Sequence, residues 1–134
     1  MTKSILVVDD SFIMRALIKE IVDSDPDLKV VAEAENGKLG LARARECKPD
    51  LILLDIEMPE MSGLEMLKRL LLLGKWKVII VSSVGQAGSA QAIEARRLGA
   101  YDVIAKPSGA MSLDLAEKRG HEIVAAIRKA LEMG

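Results

Sequence analysis

The chain has 134 residues, one Phe, one Trp, one Tyr, one cysteine and a formal net charge of −1 from 19 basic and 20 acidic side chains. That length fits one domain, and a lone cysteine excludes an intramolecular disulfide scaffold. Half of the residues are hydrophobic, which argues against disorder, and the balanced charge argues against sequence-blind nucleic-acid binding, which needs a basic surface.

In chain order, the first apolar run, Ser4–Val8, reads as a buried strand that stops at Asp9-Asp10. Met14, Leu17, Ile18 and Ile21 follow at helical spacing until Pro26 stops them. Phe12 lies roughly 160° around that helix from Met14, so it points away from the core. Leu28–Ala32 is the second strand. A weak stripe of Leu41 and Ala44 follows Asn36-Gly37 and stops at Pro49. Leu51–Leu54 is the third strand, ending at Asp55. Leu64, Leu67 and Leu71 form the stripe of a third helix, which Gly74 ends. Lys77–Val81 is the fourth strand, ending in Ser82-Ser83. An Ala-rich helix runs over Ala87–Leu98 and is closed by Gly99. Tyr101–Ala105 is the fifth strand, ending in Lys106-Pro107. After an extended loop over Ser108–Leu115, a last helix covers Glu117–Met133, with Ile123, Ile127, Ala130 and Leu131 inward. Cys47 is expected to be buried or half-buried, His121 to lie on a helix surface and Trp76 to pack in a loop. The apolar runs are far below the roughly 18 residues of a spanning helix. No signal-peptide pattern opens the chain, so a cytoplasmic protein is expected.

The strand starts lie 24, 23, 26 and 24 residues apart, room for a strand, a helix and two loops. The order βαβαβαβαβα predicts an α/β fold: a five-stranded, doubly wound parallel sheet of the flavodoxin-like (βα)5 type, with right-handed crossovers. In such sheets ligands bind off the carboxyl ends of the strands. Asp9, Asp10, Asp55, Ser82 and Lys106 all stop strands at that edge. Two carboxylates about 4 Å apart repel by roughly 4 kcal/mol at an effective dielectric of 20. Lys106 offsets one charge, and a divalent cation would offset the rest. Hard oxygen ligands favour Mg²⁺ over Zn²⁺. A metal, an ammonium, a hydroxyl and a free carboxylate suit phosphoryl transfer, with Asp55 as the nucleophile that forms an acyl phosphate.

Val7-Val8-Asp9-Asp10-Ser11, Leu53-Leu54-Asp55-Ile56-Glu57-Met58-Pro59, Met61-Ser62-Gly63, Val81-Ser82-Ser83, Gly99-Ala100 and Lys106-Pro107 stand in order at the strand ends. Together they resemble the receiver domain of two-component response regulators, over essentially the whole chain. Lys106-Pro107-Ser108-Gly109 and Ser112-Leu113-Asp114 add a likeness to the regulatory domain of chemotaxis protein-glutamate methylesterase, whose esterase domain is absent. The resemblance implies a single receiver domain over residues 1–134, with Asp55 as phosphoacceptor. It implies Mg²⁺ held by Asp10, Asp55 and the backbone carbonyl of Glu57, with Asp9 helping directly or through water. Ser82 and Lys106 would bind phosphoryl oxygens, and Ser82 would move on activation. The Lys106-Pro107 peptide is a candidate cis bond. The implied partners are a histidine kinase, docking near Phe12, and a downstream protein or effector domain; no nucleic acid and no membrane insertion are implied. Phosphorylation would bias a surface of the fourth helix, fifth strand and fifth helix. One departure stands out: Val103 occupies the position of the usual aromatic switch, and Tyr101, two residues earlier, projects to the same face.

Other readings share parts of the pattern. An aspartyl phosphohydrolase would use Glu57, two residues after Asp55, as acid/base, but 134 residues leave little room for a substrate cap. A flavodoxin-like cofactor binder lacks its phosphate loop here. A phosphate sink, or a degenerate receiver acting only as a surface, completes the set.

Overall fold

The structure, a computed structural model, describes residues 2–82, 89–106 and 113–133. Strands β1 (Lys3–Val8), β2 (Leu28–Ala34), β3 (Leu51–Leu54), β4 (Val78–Ser82) and β5 (Asp102–Ala105) form one parallel sheet in the order β2-β1-β3-β4-β5. Helices α1 (Phe12–Asp23), α2 (Gly37–Cys47), α3 (Gly63–Leu73), α4 (Ala90–Leu98) and α5 (Leu113–Ala130) alternate with the strands. The predicted flavodoxin-like architecture is the observed one.

Continuous apolar strands follow from two separate cores. Ile5, Val7, Leu51, Leu53, Ile79 and Val81 pack with Ile18 and Val22 of α1 and Ile123, Ile127 and Ala130 of α5. Their neighbours Leu6, Val8, Ile52, Leu54 and Ile80 face the other way, onto Leu41 and Ala44 of α2, Met66, Leu67 and Leu70 of α3, and Ala92 and Ala95 of α4. Every residue of β3 is therefore interior, at 0–1% exposure. Each such Leu or Ile contributes roughly 1.5–3 kcal/mol by burial, which anchors the strand that ends at Asp55.

The edge strand β2 differs. It runs two residues further than its apolar run predicts, and its pairing with β1 slips between Ile5 and Leu6, leaving Val31 as the extra residue. The bulge flips the alternation. Leu28 and Val30 face the α1/α5 core, whereas Ala32 and Ala34 face the other one.

Four helices start with the same device: the side chains of Ser11, Asn36, Ser62 and Ser89 accept the N–H of Met14, Leu39, Glu65 and Ala92. Each satisfies one orphan donor of its first turn. α4 closes at Gly99, in the left-handed region at φ 117°; residues 87 and 88 of its predicted start lie outside the described residues.

Three expectations are corrected. α3 buries Met66, Leu67 and Leu70, while Leu64 and Leu71 of the predicted stripe are half-buried; a run of leucines offers two overlapping stripes, and close packing on α2 selects between them. Cys47 is exposed: the buried face of α2 ends at Ala44, and Cys47 is the final residue of the helix. α5 begins at Leu113, inside the predicted loop. Leu113, Leu115 and Ala116 are good helix formers, and extending a long helix costs less than starting one. Among the described residues no helix is long and apolar enough to cross a membrane.

Candidate functional site

The strand order reverses between β1 and β3, which opens a crevice at their carboxyl ends. Three backbone hydrogen bonds carry the sheet ladder one residue past the strands. The N–H of Asp9 donates to the carbonyl of Ala34 (3.0 Å), that of Asp55 to Val8 (2.9 Å) and that of Lys106 to Ser82 (2.7 Å). The sheet itself thus sets the backbone positions of Asp9, Asp55 and Lys106.

Asp9, Asp10 and Asp55 offer carboxylate oxygens that all lie within 4.8 Å of one another. Asp9 and Asp55 are buried, at 1% and 4% exposure, whereas Asp10 is exposed. The Lys106 Nζ stands between the buried pair, 3.0 Å from Asp9 Oδ2 and 3.2 Å from Asp55 Oδ2. Asp9 Oδ1 accepts the N–H of Ser11 at 2.9 Å. Asp10, Asp55, Glu57, Met58 and Lys106 line an open cleft over this cluster.

The charges set the protonation states. Burial pushes the Asp55 carboxyl up from 3.8 to about 6; Lys106 opposes the rise, while Asp9 and Asp10 add to it. Burial pulls the Lys106 ammonium down, but Asp9 and Asp55 more than offset this and hold it above its ordinary value. One ammonium against three carboxylates leaves an excess of negative charge. The side chains of the cluster offer oxygens, with neither His nor Cys among them. That donor set fits a hard divalent cation with room for water.

Ser82 ends β4 fully buried, and its Oγ has no hydrogen-bond partner among the described residues. An unpaired buried hydroxyl costs about 1–3 kcal/mol, so a ligand oxygen arriving there would relieve it. Ser83 and Pro107, and with Pro107 the proposed cis bond, lie outside the described residues. Val103 is buried opposite Ile80 in the core beneath α4. Tyr101 does not replace the aromatic at this position. It precedes β5, at the end of the sheet away from Lys106, with its N–H on the carbonyl of Val78 (2.7 Å) and Lys77 Nζ 5.3 Å from its ring centroid. The four residues of β5, Asp102–Ala105, separate it from Lys106.

Phe12 opens α1 beside the acidic edge at 74% exposure, as its helical angle predicts, and Ile13 beside it is 77% exposed. Arg15, which the sequence reading passed over, organises this corner. Its guanidinium donates to the Asp9 carbonyl (2.7 Å), pairs with Glu33 (3.4 Å) and lies 5.8 Å over the Phe12 ring. The available signal was the i, i+3 spacing of Phe12 and Arg15 on a helix.

The loop from Asp55 to Ser62 carries the Glu57 carbonyl, and two glycines clamp it. The N–H of Gly63 donates to Ile56 (2.7 Å), and a Cβ there would lie 2.0 Å from the Asp55 carbonyl oxygen. Gly37, at the start of α2, faces the Met61 carbonyl, which its absent Cβ would approach to 2.6 Å. Both clashes are with backbone, which cannot swing aside. Gly63→Ala is therefore expected to cost at least about 2 kcal/mol, read by urea unfolding. It also shifts the Asp55 backbone; a variant as stable as the wild type would show that the clamp is slack.

Residues 5–118 match the response regulator receiver domain family. The chain is 45% identical over 129 residues to a protein-glutamate methylesterase/protein-glutamine glutaminase of Thermotoga maritima, covering 96% of this chain and 37% of that protein. A relative of the same name from Halalkalibacterium halodurans is 48% identical over 115 residues, 86% of this chain and 33% of that protein. The chain thus spans about a third of the length of these relatives. Among solved structures, the response regulator domain of Thermotoga maritima CheB superposes with a TM-score of 0.88 at 43% identity, covering 100% of this chain and 99% of that one. A chain from the complex of the P1 domain of CheA3 with CheY6 of R. sphaeroides gives 0.80 at 40% identity, covering 97% of both. The three-carboxylate crevice, its bridging lysine and these likenesses have one reading: the chain belongs to the response regulator receiver domain family.

Proposed function

We propose that Asp55 accepts a phosphoryl group from the phosphohistidine of a chemotaxis-type histidine kinase. A carboxylate oxygen of Asp55 attacks phosphorus, the P–N bond to the donor imidazole breaks, and the imidazole leaves with a proton from solvent. The product is an acyl phosphate on β3. The observation that carries this reading is the Lys106 ammonium held between Asp9 and Asp55 at 3.0 and 3.2 Å, where transferring phosphoryl oxygens gather.

Asp10, Asp55 and the Glu57 carbonyl would hold Mg²⁺, with Asp9 behind them, and the bound ion supplies positive charge to the phosphoryl oxygens. Lys106 neutralises a further oxygen. The buried Ser82 hydroxyl is the donor that waits for one, and its engagement draws the end of β4 inward. A phosphoryl group adds roughly −1.5 to −2 charges at neutral pH, which biases the surface of α4, β5 and α5 between two states. Val103 lacks the ring that elsewhere reports this step, so the response here runs through the Ser82 backbone, which already bonds Lys106. The output is a methylesterase domain or another partner of the chemotaxis pathway, as the names of the longer relatives suggest. Intact-mass measurement after incubation with acetyl phosphate and Mg²⁺ tests the reading: one phosphoryl adduct supports it, and none refutes it.

Phe12 and Ile13 offer the donor an apolar contact beside the acceptor, and a similar chain has been crystallised with a kinase P1 domain. Phe12→Ala is expected to slow transfer from the phosphorylated kinase by about 5- to 30-fold, as loss of an interface anchor does. Transfer from acetyl phosphate should be unchanged; equal loss with both donors would place the effect at the acceptor and end the docking role.

A further inference from the structure

At the sheet edge opposite Asp55, the ends of α2 and α3 leave an open cleft whose floor includes Leu73 and the half-buried Trp76. Arg45, Lys48 and Lys75 rim it, and no acidic side chain lines it. The arginines make this feature distinctive. Seven of the eight, Arg15, Arg43, Arg69, Arg96, Arg97, Arg119 and Arg128, sit in ion pairs among the described residues, and Arg45 does not. A helix C-terminus attracts cations, which accounts for a positive charge in the last turn of α2 but not for its isolation. Arg96 and Arg97 end α4 and Arg128 ends α5, and all three have carboxylate partners. The Trp76 Nε1 is buried with no acceptor among the described residues. The charged side chains that line the cleft are all cationic: one guanidinium and two ammoniums. Leu73 and its neighbour Leu72 add apolar surface, at 52% and 86% exposure.

We propose that this cleft docks an acidic amphipathic segment of a partner protein, its carboxylates on Arg45, Lys48 and Lys75 and an apolar side chain on Leu73 and Trp76. Charge complementarity to this cationic rim, with Arg45 in no ion pair among the described residues, selects that occupant. The cleft opens at the amino ends of β3 and β4, away from the acceptor cleft, so a tethered partner leaves Asp55 accessible and raises the local concentration of whatever it carries.

Trp76 is the only tryptophan, so its emission reports the cleft directly. The probe is a synthetic helical peptide of Glu, Ala and Leu with its leucines on one face, titrated into the full chain. A saturable shift in Trp76 emission that weakens with added salt is expected. Arg45→Glu with Lys48→Glu should weaken binding at least tenfold, while the same reversals at the exposed Lys19 and Lys29 change it less than twofold. Circular dichroism spectra and acetyl phosphate labelling of the Arg45/Lys48 variant should match the wild type, with a melt lowered only by the few degrees that acidic side chains at a helix C-terminus cost, which separates loss of docking from loss of fold. No emission shift, equal loss in the control variant, or tighter binding of phosphatidylglycerol vesicles than of the peptide would overturn the proposal, the last result in favour of a membrane surface.

Discussion

Asp55→Asn is expected to abolish phosphorylation by acetyl phosphate and Mg²⁺, with no phosphoryl adduct in the intact mass where the wild type gains one. The amide is nearly isosteric but lacks the anionic oxygen that attacks phosphorus, so the loss is complete rather than graded. The 3.0 Å contact of Lys106 with Asp9 does not involve residue 55, so the crevice is expected to retain its shape in this variant. Withholding Mg²⁺ from the wild type should suppress labelling similarly. An adduct that persists in Asp55→Asn, mapped by peptide mass spectrometry to another residue, would remove Asp55 from the mechanism.

The second large effect is on stability. The folded Asp55 carboxyl titrates at about 6 against an ordinary 3.8, chiefly because β3 buries it. Between those values the folded chain holds a proton that the unfolded chain has released. Stability from this group is therefore fully present below about 3.8 and is lost as pH rises through about 6. The loss amounts to about 3 kcal/mol. Urea unfolding of the metal-free protein should show this decline between pH 4 and about 7. Asp55→Asn removes the titrating carboxyl, so it should flatten the decline and leave the variant the more stable protein at pH 8. Added Mg²⁺ should restore much of the lost stability in the wild type, since a ligand that binds only the folded state stabilises it by mass action. A metal-free wild type whose stability rises steadily over this range, and an Asn variant no more stable at pH 8, would show that Lys106 outweighs burial.

The two effects share one cause. β3 is interior on both faces, so the residue that follows it, Asp55, is itself buried at the foot of the cleft, where a carboxylate is costly to ionise. In the same buried setting the Lys106 ammonium between Asp9 and Asp55 offsets their mutual repulsion. Arg45, by contrast, stands at the far edge in no ion pair among the described residues.

Much of this was legible in the chain. Unbroken apolar runs such as Leu51–Leu54 announce strands covered on both sides, and the polar residue that stops each run marks the edge where chemistry gathers. The identities of Asp9, Asp10, Asp55, Ser82 and Lys106, and the parallel five-stranded order, follow from that pattern with the motif resemblance. Tertiary structure decided the rest. Which leucines of α3 face inward depended on how α2 packs against it. The bulge at Val31 turns on pairing with β1, a partner more than twenty residues away in sequence. Tyr101 and Val103 share a strand parity, but only the sheet shows that Tyr101 stands at the wrong end to serve the site. Nothing in the sequence marks Gly63 and Gly37 as points of close backbone approach, which appear only when the Asp55 and Met61 carbonyls close on them. Local periodicity is written along the chain, whereas the direction of a packed face and the approach of two backbones arise only when distant segments meet.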